Sequence, residues 1–516
     1  MAFRHENADA ASPSCFHKGH LMNTLLVYPE FPDTFWSFKR ALAFAGKRAS
    51  FPPLGLLTLS AMLPPAWNRR LIDMNVRPLT VKDIEWADVL MVSAMYVQNE
   101  SLRHVIELGK AHGKKVVVGG PYTSVGMHNL AAADHIFIGE VEPTFAGFLD
   151  DLSHGEAARV YESKDRPALD RTPIPHFRLA EMAAYSDMSV QYSRGCPFNC
   201  EFCDIIEIYG RMPRTKSNEQ MLAELDELLR VGWRGDVFIV DDNFIGNKKN
   251  VRKLLPELCE WSARNKYPFS FITEASINLA DDVELLKQMR DANFRQVFIG
   301  IETPVGESLK EAQKGQNLRR DLLDSVHRVQ SYGMEVMAGF IVGFDNDPDD
   351  IFERQVAFIR DSAIPIAMVG LLVAIPDTQL WRRLEREGRL HGDGEHTGNN
   401  TDCVLNFVPK MDADVLIEGY KSIVRNIYSP REYYERALSS LRHVEREHTP
   451  AMHGAITGSD IAAFVRIIAA LGVRDRFRGD FWRFMQRVVM EHRGRIDEGL
   501  TQAALGYHLR TLAEQI

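Results

Sequence analysis

Short apolar runs alternate with helix-periodic stretches over the first 150 residues. Thr24–Tyr28, Arg70–Ile72, Val89–Ser93, Lys115–Val118 and His135–Ile138 read as strands, and stretches such as Ser101–His112 read as helices between them. Buried strands joined by helical crossovers build a parallel sheet with both faces covered. A doubly wound α/β domain is therefore expected over residues 22–152. Gly119-Gly120-Pro121 closes the fourth strand and Gly139-Glu140-Val141-Glu142 the fifth. Ligands of such sheets lie beyond the carboxyl ends of the strands, where these turns fall.

The periodicity fails over residues 153–185, where Pro167, Pro173 and Pro175 punctuate mixed charges, and this stretch reads as a linker. A second alternating region follows, over 186–400. Its strands are Ser189–Ser193, Asp236–Val240, Ser270–Thr273, Gln296–Ile299, Glu335–Val342 and Ile366–Leu371. Ser217 with Gln220 three residues on forms a capping box, ahead of an apolar face made by Met221, Leu222, Leu225, Leu228 and Leu229. Six βα units predict a partial (β/α)6 barrel, because no seventh and eighth unit follow. After about Asp402 the strands stop, and 401–516 reads as a helical region. Within it Arg476–Arg495 interleaves arginine with Phe477, Phe481, Trp482 and Phe484. That pattern fits either a membrane-surface face or a core-facing helix with solvated arginines, and the second is favoured.

Composition narrows the class. A chain of 516 residues with 45% hydrophobic and 25% charged residues can bury a sizeable core in about three domains. A net charge of −9 argues against nucleic acid as a partner, since phosphate binding needs a basic surface. No apolar run is long enough to span a bilayer. Met1–His20 is polar and lacks the apolar core of a signal peptide, and Met22 is a candidate start, so a cytoplasmic location is expected. Of six cysteines, Cys15, Cys259 and Cys403 are scattered and read as incidental thiols.

The other three fall within Ser193-Arg194-Gly195-Cys196-Pro197-Phe198-Asn199-Cys200-Glu201-Phe202-Cys203. This segment follows a predicted strand, at the end of a barrel where catalytic groups collect. Three thiolates can hold three irons of a cubane and leave the fourth open, whereas a structural zinc site closes with a fourth ligand. The C-x-x-x-C-x-x-C spacing, with Phe202 before the last cysteine, resembles the signature of the radical S-adenosylmethionine (SAM) superfamily. The resemblance covers roughly residues 185–400. It implies a [4Fe-4S] cluster on Cys196, Cys200 and Cys203 whose open iron chelates SAM. One electron, from a donor such as flavodoxin or ferredoxin, then yields a 5′-deoxyadenosyl radical that abstracts a substrate hydrogen. It also implies SAM contacts near Phe202, from Asp241-Asp242-Asn243 after the second barrel strand, from Glu274 and Ser276 after the third, and from Glu302 after the fourth. Gly339 and Gly343 flank the fifth strand, where backbone could approach adenosine closely.

A parallel sheet ahead of this core resembles the cobalamin-binding arrangement of one radical SAM subclass. Pro52-Pro53-Leu54-Gly55 and the turns carrying Gly119, Gly120, Gly139 and Glu140 resemble its recurrent turns. The D-x-H-x-x-G pattern that brings a histidine to cobalt elsewhere is absent, which departs from other cobalamin domains and suits this subclass. Over nearly its whole length the chain is similar to the group that includes hopanoid C-2 methylases and archaeal tetraether-lipid ring synthases. That resemblance implies methylation of an unactivated carbon in a small molecule or lipid, and leaves peripheral membrane contact open. Three alternatives stay open: radical cyclisation or carbon–carbon coupling, a non-catalytic iron–sulfur sensor, and RNA methylthiolation. The last would call for a basic RNA-binding module.

Overall fold

The computed structural model describes residues 21–125, 130–392, 398–450 and 457–516. The polar amino-terminal stretch, with Cys15, lies outside the described residues. β1 (Asn23–Tyr28), β2 (Asn68–Asp73), β3 (Val89–Ser93), β4 (Lys115–Gly119), β5 (His135–Ile138) and β6 (Val160–Glu162) form a parallel sheet in the order β2-β1-β3-β4-β5-β6. Strand alternation sends Leu25 and Val27 to one face, against Leu102, Val105 and Ile106 of the helix Asn99–Ala111. It sends Leu26 to the other, against Leu56, Phe145 and Phe148. Both faces are covered, so the domain is doubly wound as expected.

One correction concerns the stretch read as a linker, because β6 lies inside it. Val160 is 41% exposed, so the strand leaves no apolar run in the sequence, and hydrogen bonding to β5 holds it. Beyond β6, Leu169 and Phe177 are buried, which anchors this segment to the body of the protein.

The second half opens with β7 (Asp187–Val190), followed by an antiparallel pair, β8 (Ser193–Arg194) and β9 (Arg214–Thr215). β10 (Gly235–Ile239), β11 (Phe269–Glu274), β12 (Phe294–Glu302), β13 (Glu335–Val342) and β14 (Ala367–Leu371) complete a parallel sheet in the order β14-β13-β12-β11-β10-β7. β7 and β14 do not pair, so this is the expected partial barrel. Ser217 caps the helix Asn218–Arg230, and both halves of its capping box are made. Met221, Leu225 and Leu228 are buried beneath it.

The last strand, β14, ends at Leu371, where the sequence pattern placed it. Leu416, Tyr420 and Ile423 of the helix Ala413–Ile427 join the same core as the barrel. In the helix Arg478–Glu491, Phe481 and Phe484 face the core, while Trp482 is 47% exposed. No helix among the described residues is long and apolar enough to cross a membrane.

Candidate active site

The cysteine loop is fixed from below by the turn that follows β10. Asp241 accepts hydrogen bonds from the Tyr192 N–H (2.8 Å) and the Ser193 hydroxyl (2.7 Å), and Asp242 accepts from the Gly195 N–H (2.7 Å). Gly195 has φ +95°, and a Cβ there would lie 2.8 Å from the Gly210 carbonyl oxygen, so the turn requires glycine. Asp241 is 1% exposed and both its oxygens serve its own chain. The expectation that it contacts SAM is corrected: its role is to hold the loop. Burial lifts Asp241 to about 6 and Asp242 to about 7.

Cys200 is buried and Cys196 and Cys203 are partly exposed; all three thiols are free. The amide of Asn243, itself bonded to the Ser276 hydroxyl (3.1 Å), donates to Cys196 Sγ (3.8 Å), and the amide of Gln316 donates to Cys200 Sγ (3.7 Å). Burial pushes the Cys196 and Cys203 thiols up, and the neighbouring thiolates add to this. No three His, Cys, Asp or Glu side chains among the described residues converge as a site for one ion. A cubane spreads its ligands over several irons and does not require that convergence. Three neighbouring thiols, two of them carrying amide donors, fit a cluster with one open iron.

Above the loop, the inner face of the barrel carries Glu302. A register shift between β12 and β13 at Gly300/Glu302, with φ +62° at Glu302, turns its carboxylate inward. There it pairs with Lys314, both groups being buried. Burial alone would lower the Lys314 ammonium, but Glu302 and the Cys200 and Cys203 thiolates outweigh it and hold it above its ordinary value. Lys314 lies 5.9 Å from the Phe202 ring, which also packs on Phe344. A Cβ on Gly300 would fall on the Glu302–Lys314 pair, and one on Gly339 would lie 3.1 Å from Phe298 and 3.9 Å from Glu302. Gly339 thus faces the same side as Phe298 and Glu302. Gly343 does not: a Cβ there would meet Leu416, outside the lumen.

Glu274 ends β11, where burial and then Asp242 and Asp241 raise its carboxyl to about 8. It has no hydrogen-bond or ion-pair partner among the described residues. A carboxyl so placed suits a cationic ligand, and SAM is a sulfonium with an amino group. Pairwise contacts thus link Phe202 with Lys314 and Glu302, Asn243 and Ser276 with Cys196, and Gln316 with Cys200. Nothing in the local pattern around Lys314 or Gln316 marks them in the sequence, because both lie in an irregular segment after the helix Gly306–Glu311.

A cleft of 350 Å³ opens at the carboxyl ends of β1, β3, β4 and β5, against β7 and the cysteine hairpin. Gly119, Gly120, Gly139 and Glu140 line it, with Tyr28, Pro53 and Gln191. At Gly120 (φ +96°) a Cβ would lie 3.0 Å from the Ala94 carbonyl, so the backbone there stays bare. Among the described residues, no histidine lines it. The Glu140 carboxylate accepts from Arg194 (2.7 Å) and Arg214 (2.7 and 3.0 Å), and so clasps β8 and β9. Glu142 also pairs with Arg194 at 2.8 Å. Arg194 adjoins the cysteine motif in the sequence, yet its partner is 54 residues away.

Comparison with known proteins agrees with this division. Residues 47–149 match the B12 binding domain, 190–359 the radical SAM superfamily, and 378–516 a domain of unknown function, DUF4070. An uncharacterised methyltransferase of Synechocystis sp. is 41% identical over 94% of this chain and 91% of its own. The hopanoid C-2 methylase of Rhodopseudomonas palustris is 34% identical, over 95% and 93%. In fold, the chain is similar to the cobalamin-dependent SAM radical enzyme OxsB (TM-score 0.61, 17% identity, 96% of this chain and 81% of that one). It is similar also to the radical SAM methyltransferase TsrM of Kitasatospora setae (TM-score 0.60, 13% identity, 94% and 99%). Identity of this extent to the hopanoid enzyme shows that the chain belongs to the cobalamin-binding radical SAM methyltransferases, the family that includes the hopanoid C-2 methylases.

Proposed function

We propose that this enzyme methylates an unactivated sp³ carbon of an apolar substrate, a lipid such as a hopanoid. The carrying observation is the Glu140 clasp: one carboxylate at the cleft of the first sheet grips both strands of the hairpin that leads into the cysteine loop. The two cofactor sites are thereby fixed to each other, as methyl transfer between centres requires. Bound together, the cluster with SAM and the cobalamin supply a 5′-deoxyadenosyl radical and a transferable methyl group. The chain holds them. Cys196, Cys200 and Cys203 ligate iron, Asn243 and Gln316 donate to the sulfurs, and Lys314 offers a cation to the SAM carboxylate. Glu274 and Glu302 offer acceptors to its amino and ribose groups. The cleft lined by Gly119, Gly120 and Gly139 would hold cobalamin. A one-electron donor of the flavodoxin or ferredoxin class feeds the cluster.

The hopanoid methylase at 34% identity supports a lipid substrate. So does the carboxyl-terminal surface. Trp482, Val489 and Met490 are exposed along one stripe of their helix, with Ile461, Phe464 and Val465 on the helix Gly458–Ile467. Eight arginines against three acidic residues lie between Arg466 and Arg495, in a chain of net charge −9. Exposed apolar groups in a basic setting suit an anionic bilayer surface. The deciding experiment is anaerobic reconstitution with iron, sulfide, cobalamin, SAM and reductant, followed by mass analysis of a lipid extract. One methyl gained per substrate turned over supports the proposal. SAM cleavage with product of unchanged carbon count would replace it with cyclisation or coupling.

A further inference from the structure

The cysteine loop has a second anchor, and it comes from the carboxyl-terminal region. Thr378 caps the helix Gln379–Arg386, the first helix of the matched region 378–516. Leu380 and Leu384 of this helix share an apolar cluster with Ala312 and Phe344, and Phe202 of the cysteine loop packs against that cluster. The helix also bonds the loop backbone. The Leu380 N–H donates to the Glu201 carbonyl (2.8 Å), while the Glu201 N–H donates to the Ala312 carbonyl (3.1 Å). Beside them the Asn199 amide donates to Gln313 (2.6 Å) and accepts from Gln379 (3.2 Å).

Arg383 joins these parts. Its guanidinium donates to both oxygens of Glu201, at 2.7 and 3.3 Å. It also donates to Asp345, just beyond β13, at 2.9 Å, and to Glu311 at 3.3 Å. The side chains of the three carboxylates are each less than a tenth exposed (6%, 6% and 9%). Glu201 stands between Cys200 and Cys203 in the chain, and Glu311 opens the segment that carries Lys314 and Gln316. Gln316 is the donor to Cys200 Sγ. One planar fork thus fixes the loop that holds the thiols to the segment that holds their donor. A guanidinium suits that task better than an ammonium, which cannot reach both oxygens in parallel.

The three carboxylates do not depend on Arg383 equally. Asp345 keeps Arg389, at 2.7 and 2.8 Å, and Glu311 keeps the N–H groups of Asp345 and Asn346. Among the described residues Glu201 has no other side-chain partner. Loss of the guanidinium therefore falls on the carboxylate that sits between two of the cysteines. An uncompensated negative charge there, and a looser bond from Gln316 to Cys200, would each disfavour adding an electron to a cluster on these thiols. Net charge and hydrogen bonds to sulfur are what set such a cluster's potential.

We propose that Arg383 is a positioning residue for the cluster. Acting through Glu201, it holds the cysteine loop against the Gln316 segment and keeps the cluster's reduction potential from falling. The carboxyl-terminal region thereby acts on the cluster through its first helix. The inference rests on the assignment of the cluster to Cys196, Cys200 and Cys203, and its test separates the two.

The full chain is loaded anaerobically with iron and sulfide, and its iron content is measured. The cluster is then titrated with dithionite and followed by EPR. Arg383→Gln keeps the wild-type iron content, and its one-electron equilibrium moves at least tenfold toward the oxidised form, a midpoint about 59 mV lower. Glu201→Gln, which removes the charge and keeps an acceptor, does not lower the midpoint. The double variant Arg383→Gln with Glu201→Gln recovers most of the loss, since the arginine acts through that carboxylate. Arg386→Gln removes an exposed charge from the same helix and leaves the midpoint unchanged. A wild-type midpoint in Arg383→Gln would overturn the inference, as would a double variant at or below the single one. Cluster loss in Arg383→Gln supports it if Glu201→Gln reverses the loss and overturns it if not. A wild type that takes up no cluster would sink the cysteine assignment and the inference with it, whereas a loaded wild type with an insensitive potential sinks the inference alone.

Discussion

Replacing Glu274 by Gln should stabilise the protein at alkaline pH while weakening SAM binding. The wild-type carboxyl sits at about 8 against an ordinary 4.5, because burial and then Asp242 and Asp241 disfavour its charge. A folded-state value above the unfolded one means that the native chain holds the extra proton between those two pH values. Stability therefore falls as pH rises through that window, and stays low above about 8. At about 1.4 kcal/mol per unit, the penalty is roughly 3 kcal/mol at pH 7 and approaches about 5 kcal/mol above pH 8. Glutamine carries no such penalty. A bound cation would repay it in the wild type, so SAM affinity should rise about tenfold per pH unit below about 8 and then level off.

The assay is thermal unfolding of wild type and Glu274→Gln without SAM, under anaerobic conditions, from pH 6 to 9. The wild-type Tm should fall relative to the variant by several degrees across the range, and the two should converge toward acid. Calorimetry with SAM at pH 7 should show about one proton released by the wild type and none by Glu274→Gln. Parallel Tm profiles, or equal proton release, would refute the placement of Glu274 as an unpartnered acid facing SAM.

Replacing any one of Cys196, Cys200 or Cys203 by Ala should abolish 5′-deoxyadenosine formation, whereas changing Cys259 or Cys403 should leave iron content intact. The full chain should retain hydroxocobalamin at micromolar concentration in dialysis, with a reduced-state EPR spectrum lacking nitrogen coupling from histidine. Glu140→Ala leaves two guanidinium groups without their shared partner; Glu142 still reaches Arg194, so the cost is roughly 2–4 kcal/mol, read as a lower urea midpoint and faster cluster loss. Trp482→Glu with Met490→Glu should reduce sedimentation with phosphatidylglycerol vesicles at least fivefold, and wild type should ignore neutral phosphatidylcholine vesicles.

The barrel was legible because its strands are bounded apolar runs. Glu335–Val342 is both the sequence reading and the observed β13. β6 was not legible, since a short edge strand held by backbone bonds need not be apolar. The cysteine loop was legible from spacing. The roles of the carboxylates around it were not. Asp241, Glu274 and Glu302 each follow an apolar strand, and the sequence does not distinguish them. What separates them is the nearest donor: Tyr192 and Ser193 for Asp241, Lys314 for Glu302, and none among the described residues for Glu274. Such partners come from distant parts of the chain, as Glu140 and Arg194 do.

The same fact bears on how the two halves work together. A cobalamin domain joined to a radical SAM core by a free linker would let the distance between the two centres vary. Here four independent contacts oppose that. Glu140 grips the hairpin, residues 49–52 run beside β7, Phe35 reaches the β14 side, and Leu169 and Phe177 bury the segment between the domains. Residues 35–52 belong to the first domain in sequence and to the barrel wall in space: Phe51 lines the cleft and packs on Phe238 of the barrel. A change in that segment should therefore disturb cobalamin retention and barrel packing together, because the spacing of the two halves is set by packing instead of by linker length.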